Sequence, residues 1–302
     1  MTAKKRYLVT GRQGQVVQSL LERCRQSDDI ELFAVGRPDI DLTEPETLEA
    51  IIDHLNPDLV VSAAAYTAVD QAETDEQQAW AVNASGPGEL ARIVSQRNIP
   101  LVHLSTDYVF DGSSTRAYVE TDPVSPLGVY GRTKLEGERR IQAAADNVAI
   151  LRTAWVFSPF GKNFVKTMLR VAETRESLNV VDDQIGNPTS ALDIADGILA
   201  VAANLFASQD VALRGVFHMT GSGEASWADF AKYIFSISSA EGGPHADISP
   251  IPTSAYPTPA RRPANSRLDC SKLSTIHGVR LADWKLTTQE IVKRLVQAKA
   301  CL

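Results

Sequence analysis

Tyr130 and Lys134, in Gly128-Val-Tyr-Gly-Arg-Thr-Lys-Leu-Glu-Gly137, are the residues of this chain best placed for joint chemistry. At a spacing of four they share one face of a helix, a single turn apart. A phenol ordinarily titrates near pH ~10, which makes it a poor acid–base group at neutrality. A neighbouring ammonium favours the phenolate and pulls that value toward the working range. An amphipathic tyrosine and a solvated lysine would show the same spacing, so the surrounding elements decide what the pair means.

Those elements alternate between short apolar runs and longer amphipathic ones. Tyr7–Thr10, Glu31–Val35, Leu59–Ser62, Leu101–Ser105 and Val148–Arg152 read as strands, and a further short strand is expected to end at Asp41-Leu42. Helical patterns cover Gln15–Arg25, Glu44–Leu55 (opened by Thr43) and Glu76–Arg97, and the Tyr130 helix comes before Val148. The alternation predicts an α/β fold, a Rossmann-type doubly wound parallel sheet with helices on both faces. Such sheets bind ligands beyond the carboxyl ends of their strands. After residue 152 the pattern loosens, and the proline-rich stretch from Pro244 to Pro263 excludes interior helix or central strand. A helical pattern resumes at Thr288–Lys299, so that stretch is expected to be an ordered loop in a smaller α/β C-terminal domain. The expected division is 1–152 for nucleotide binding, with segments near 190–215 returning to it, and 153–302 mainly for substrate.

The nucleotide end starts at Thr10-Gly11-Arg-Gln-Gly14-Gln-Val-Val17, between the first strand and the first helix. Glycines here permit a tight turn and bring a helix N-terminus to a pyrophosphate, which makes Gly11, Arg12, Gln13, Gly14, Gln15 and Val16 cofactor candidates. Val17 stands where a third glycine is usual, a position that serves helix packing. At the tip of the second strand an acid would bond a ribose 2′-hydroxyl, whereas an arginine accommodates a 2′-phosphate. The chain reads Val35-Gly36-Arg37, with Arg12 able to reach the same phosphate, so NADPH is favoured and NADH stays open. Asp41 and Leu42 would border the adenine, and Ala63, Ala64, Ala65 and Tyr66 follow a strand where backbone must pass close to a cofactor.

Composition narrows the class. The chain has 302 residues, 44% hydrophobic, with a formal charge of −7 and dispersed Lys and Arg, which disfavours a nucleic-acid partner. No run approaches the ~20 apolar residues that span a membrane, and Met1–Arg6 lacks a signal-peptide core. Cys24, Cys270 and Cys301 are odd in number and far apart, as free thiols in a reducing compartment would be. The five histidines form no metal-type cluster. A soluble cytoplasmic monomer or homodimer without a metal is expected.

With the pair and the nucleotide end together, the chain resembles the extended short-chain dehydrogenase/reductase family, and within it the reductases of dTDP-linked 4-ketosugars. The resemblance runs through Trp80-Ala-Val-Asn83-Ala, Ser105-Thr-Asp-Tyr-Val-Phe-Asp-Gly112, Tyr130-Gly-Arg-Thr-Lys134 and Leu151-Arg-Thr-Ala-Trp155. Later blocks are Asp183-Gln-Ile-Gly-Asn-Pro-Thr189, Pro252-Thr-Ser-Ala-Tyr-Pro-Thr-Pro259 and Arg262-Pro-Ala-Asn-Ser-Arg267-Leu268. It implies NADPH-dependent reduction of the C4 ketone of dTDP-4-dehydro-L-rhamnose to dTDP-L-rhamnose. Thr106 would bond the substrate carbonyl oxygen, Tyr130 would protonate it, and Lys134 would tune the tyrosine and bond the nicotinamide ribose. Nucleotide-sugar dehydratases carry Asp-Glu after the threonine; here Asp107 is followed by Tyr108, which disfavours dehydration and leaves reduction or C4 epimerisation.

Substrate candidates are Val69, Thr106, Asp107, Trp155, Asn163, Arg262 and Arg267. Trp155 is either a flat wall for the sugar or a core tryptophan. The guanidiniums of Arg262 and Arg267 either grip the diphosphate or form ion pairs. Some relatives join subunits through a magnesium held by glutamates; the matching positions here are Ser19 and Leu192, so no such metal is expected. The resemblance leaves two alternatives, another nucleotide-sugar reductase or epimerase, and a non-catalytic NADP-binding regulator like the methionine adenosyltransferase β subunit.

Overall fold

The computed structural model describes residues 4–25 and 27–300; Cys301 lies outside the described residues. Lys5–Thr10 (β1), Gln15–Cys24 (α1), Ile30–Val35 (β2), Pro45–Leu55 (α2) and Leu59–Ser62 (β3) open the chain. Val69–Ala72 (α3), Glu76–Trp80 (α4), a π-helical turn at Ala81–Ser85 and Gly86–Gln96 (α5) lead to Leu101–Thr106 (β4). Val129–Ala144 (α6), Val148–Thr153 (β5), Val156–Phe157 (β6), Phe164–Val171 (α7) and Ser177–Val181 (β7) follow. The rest comprises Ile185–Gly186 (β8), Thr189–Ser190 (β9), Ala191–Ala207 (α8), Gly215–His218 (β10), Ala225–Ser226 (β11), Trp227–Ala240 (α9), Asp247–Ile251 (β12), Ser271–His277 (α10) and Trp284–Ala300 (α11).

Six strands form one parallel sheet in the order β10-β5-β4-β3-β1-β2. Strands buried on both faces need continuous apolar runs, which Tyr7–Val9, Leu59–Val61 and Val148–Leu151 supply. Alternate residues point to opposite faces. Tyr7, Val9, Val61, Val102 and Leu104 join one core with Val17 and Leu20 of α1 and Ile194, Ile198 and Val201 of α8. Leu8, Val60, Leu101 and Ile150 join another with residues of α2, α5 and α6. Val17 is 1% exposed in the first core, so valine in place of a third glycine is absorbed as packing. The order reverses between β1 and β3, and a doubly wound sheet of this kind places its ligand crevice at that point.

Three local expectations differ from the structure. Asp41-Leu42 ends no strand: Asp41 Oδ1 accepts from the backbone N–H and the hydroxyl of Thr43, which curls the chain into a turn outside the edge strand β2. α2 opens at Pro45, whose missing N–H costs nothing at a first helical position, and Thr43 provides no cap. The long pattern expected from Glu76 is α4, a π-helical turn and α5, with Asn83 on that turn. Asn83 accepts from the Tyr66 N–H and donates to Tyr66 O and Thr133 Oγ1, fastening the chain after β3 to α6. α6 lies against the π turn so closely that a Cβ at Gly137 would stand 2.2 Å from Asn83 O.

A third core gathers Phe157, Val165, Leu178, Phe230, Ile234, Trp284 and Val292 from β6, α7, β7, α9 and α11. The proline-rich stretch here includes β12, which pairs only with β7, so Pro250 sits in a two-stranded ribbon and interrupts no central ladder. No described helix is long and apolar enough to cross a membrane.

Candidate functional site

At the carboxyl ends of the sheet strands a cleft of about 610 Å³ is lined by Gln13, Gly14, Gln15 and Val16 after β1, and by Ala63 and Ala65 after β3. Its other walls come from Thr106 and Asp107 at the end of β4, Tyr130 and Lys134 on α6, and Thr153 and Trp155 at the end of β5. Val69 lines it too. A recess of about 190 Å³ is lined by Gly11, Arg12, Arg37, Asp41, Leu42, Ala64 and Ala65. Ala65 lines both, so the two spaces share a wall. The expected cofactor residues are therefore brought together, apart from Tyr66. The Tyr66 hydroxyl donates to Asp75 Oδ2 at 3.1 Å and its ring packs against the cluster of Ala72, Ala79 and Val129.

Lys134 is 2% exposed, and its ammonium donates to Leu104 O at 2.7 Å and pairs with His103 Nε2 at 3.3 Å. Burial lowers it to about 8, with Glu138 opposing the shift. The phenol of Tyr130 is pushed up to about 12 by burial; the Thr106 hydroxyl acts the other way and Asp107 adds to the rise. The expected downward pull of Lys134 on Tyr130 does not prevail, because burial dominates and the ammonium is engaged with β4. At neutral pH the tyrosine is held as an acid, the form that donates a proton.

Thr106 is 5% exposed, accepts from Tyr108 N–H and donates its hydroxyl to Asp107 Oδ1 at 3.0 Å. The buried Asp107 carboxyl is raised to about 7, chiefly by burial. Asp107 Oδ2 and Thr153 Oγ1 are buried polar atoms of this cleft without a partner among the described residues. Buried polar atoms are otherwise almost always paired, so the cleft suits a polar ligand. Thr153 was not singled out from the sequence. Its signal was a hydroxyl at the C-terminal end of a strand, directly beside Thr106 in the β4–β5 register.

Trp155 has φ +48°, left-handed backbone that bulky residues avoid. It stacks on Trp227 with centroids 3.5 Å apart and donates Nε1–H to Ser266 Oγ at 3.1 Å. A Cβ on Gly186 would stand 2.5 Å from its ring, so only glycine fits beneath it. The indole packs against the third core and also lines the cleft.

The remaining substrate candidates are placed differently. Asn163 caps α7 by accepting from Lys166 N–H and donates to Gln15 Oε1, tying the loop after β6 to the glycine turn without lining the cleft. Arg262 forms a two-pronged pair with Asp70, and Arg267 pairs with Glu224 at 3.0 Å, so each guanidinium has taken the ion-pair alternative. Arg12 pairs with Asp39, and Arg37 approaches Asp41 at 3.8 Å. Ser19 donates to Gln15 O, and Leu192 packs on the third core.

A family model described as the RmlD substrate binding domain matches residues 5–297. The dTDP-4-dehydrorhamnose reductase of Sinorhizobium fredii is 48% identical over 291 residues, 96% of this chain and 98% of that protein. A crystal structure of a dTDP-4-dehydrorhamnose reductase from Clostridium acetobutylicum aligns with a TM-score of 0.89 at 34% identity, covering 96% of this chain and 99% of that one. That of the Bacillus anthracis dTDP-4-dehydrorhamnose reductase in complex with NADP aligns with a TM-score of 0.88 at 30% identity, covering 96% and 99%. A doubly wound sheet, a Thr–Tyr–Lys cleft at its switch point and full-length identity to these reductases agree, and the chain belongs to the RmlD family of dTDP-4-dehydrorhamnose reductases.

Proposed function

We propose that this protein reduces the C4 ketone of dTDP-4-dehydro-L-rhamnose to dTDP-L-rhamnose with NADPH. One observation carries the reading: Thr106, the protonated phenol of Tyr130 and the buried ammonium of Lys134 line the same cleft as the glycine turn. The names of full-length relatives support the sugar, and the relative solved with NADP supports the cofactor.

Gly11, Gly14 and the start of α1 would hold the diphosphate, and Arg12 and Arg37 the 2′-phosphate, with Ala63–Ala65 leaving room for the dinucleotide. When bound, NADPH supplies the hydride. Charge that builds on the sugar's ketone oxygen would meet Tyr130 as proton donor and the Thr106 hydroxyl as hydrogen-bond donor once that hydroxyl turns from Asp107 Oδ1. Lys134, an ammonium at neutral pH, adds a fixed positive charge beside them. Val69, Asp107 and Trp155 would bound the sugar. Arg262 could reach the diphosphate only by giving up Asp70.

The nucleotide-binding part of this reading is 1–152 together with the return near 190–215, supported by α8 packing on the α1 face and β10 extending the sheet. The remainder of 153–302 serves the sugar. The protein is read as a cytoplasmic monomer or homodimer. NADPH oxidation by purified protein with dTDP-4-dehydrorhamnose tests the activity. In Tyr130→Phe, kcat is expected to fall ~10²–10⁴-fold while NADPH still binds. Oxidation with a UDP-4-ketosugar alone would reject the substrate.

A further inference from the structure

His103 lies on β4 beneath α6, 0% exposed, in register with Ser62 of β3. Strand period and helix period match here. His103 and Ser105, two apart on β4, meet Lys134 and Glu138, four apart on α6. A buried histidine paired with a serine on the next strand is ordinarily a satisfied core residue. This one has a second partner, the Lys134 ammonium at 3.3 Å.

An ammonium carries three N–H donors and no acceptor. Leu104 O takes one at 2.7 Å and His103 Nε2 takes another, which leaves a single N–H to a lysine that lines the cleft. For Nε2 to accept, the ring must be neutral with its proton on Nδ1, and Nδ1 lies 3.0 Å from Ser62 Oγ. Burial and the adjacent Lys134 charge both hold the imidazole well below its usual range, so the ring is neutral at neutral pH. The other titratable groups around Lys134 are Glu138 one turn along α6, Arg152 of β5 paired to Glu138, and Tyr130 and Asp107 at the cleft.

We propose that His103 is a positioning residue for Lys134: its neutral Nε2, kept an acceptor by the donor-only ammonium while Nδ1–H donates to Ser62 Oγ, holds the ammonium so that its one remaining N–H faces the cleft. The proposal deepens the reductase reading and rests on it for its catalytic meaning. His103→Phe keeps an aromatic ring but removes the acceptor, whereas His103→Gln can place Oε1 near the position of Nε2.

The test titrates Lys134 by NMR in full-length protein carrying ¹³C-labelled lysine, alongside pH profiles of NADPH oxidation. In His103→Phe the Lys134 midpoint is expected to fall by about one pH unit, because the charged form loses a hydrogen bond. The alkaline limb of kcat should move with it, kcat near pH 8 should drop ~5-fold, and KM should change less. His103→Gln should restore most of both. If His103→Phe does not fold, Ser62→Ala carries the comparison with a smaller shift in the same direction. An unmoved Lys134 midpoint in the folded variant overturns the proposal. A shifted midpoint in a protein that never turns over the ketosugar would support the His103–Lys134 link and reject the reductase reading.

Discussion

Glu138 and Arg152 form a buried two-pronged pair, with Oε1 accepting from Nε at 2.9 Å and Oε2 from Nη2 at 2.6 Å. Their side chains are 2% and 5% exposed, and Ser105 donates its hydroxyl to Oε1. The pair joins α6 to β5 one turn beyond Lys134, so the helix carrying the Tyr–Lys pair is pinned to the sheet by charge as well as packing. Removing one member strands the other in a dry environment. Glu138→Gln is expected to cost about 3–5 kcal/mol by urea denaturation, and Glu138→Leu combined with Arg152→Met should recover most of it. A loss below about 1 kcal/mol, typical of exposed pairs, would show that water reaches the site.

Asp107 makes stability depend on pH. Its folded carboxyl is raised to about 7 by burial, against an unfolded value near ~4. The folded state therefore binds this proton more tightly. The stability it contributes is full below pH ~4, is lost as pH rises, and is gone above about 7. Asp107→Asn never ionises. Its Tm should exceed that of the wild type by a few degrees more at about pH 8 than at about pH 4.5; an equal offset at both would refute the shift.

Arg12 and Arg37 pair with Asp39 and Asp41 through side chains that all keep some contact with solvent, from 24% exposed at Asp41 to 75% at Arg37. Such pairs are worth ~0–1 kcal/mol, little enough for a 2′-phosphate to displace. Arg37→Ala or Arg12→Ala should raise KM for NADPH about 10-fold while leaving KM for NADH within about 2-fold. Initial rates with both coenzymes decide this, and equal losses would remove these arginines from the 2′-phosphate site.

Gly137 is fixed by contact with the π turn. A Cβ there would stand 2.2 Å from a backbone oxygen that cannot rotate away. Gly137→Ala should destabilise by about 1–3 kcal/mol in chemical denaturation, despite alanine's better helix propensity. A gain in stability would mean that α6 can shift without unseating Lys134 and Glu138.

What the sequence by itself determined was periodic or local. Apolar runs at strand length, amphipathic runs between them and glycines after β1 dictate a doubly wound sheet, because each element must bury one particular face. Tyr130 and Lys134 were legible as a pair because helical spacing is a property of the chain, whereas Thr106 was added to them only by the family resemblance. Asp41-Leu42 misled because Ile40 and Leu42, apolar on either side of Asp41, look like a strand until Thr43 is seen to turn the backbone. Tertiary structure alone decided the partners: Arg262 with Asp70, 192 residues away, Arg267 with Glu224, and Lys134 with His103 and Leu104 O rather than with Tyr130. Charge and burial are set by neighbours distant in sequence. Thus the spacing of Tyr130 and Lys134 could suggest a tuned phenol, while the depth of the cleft holds that phenol protonated.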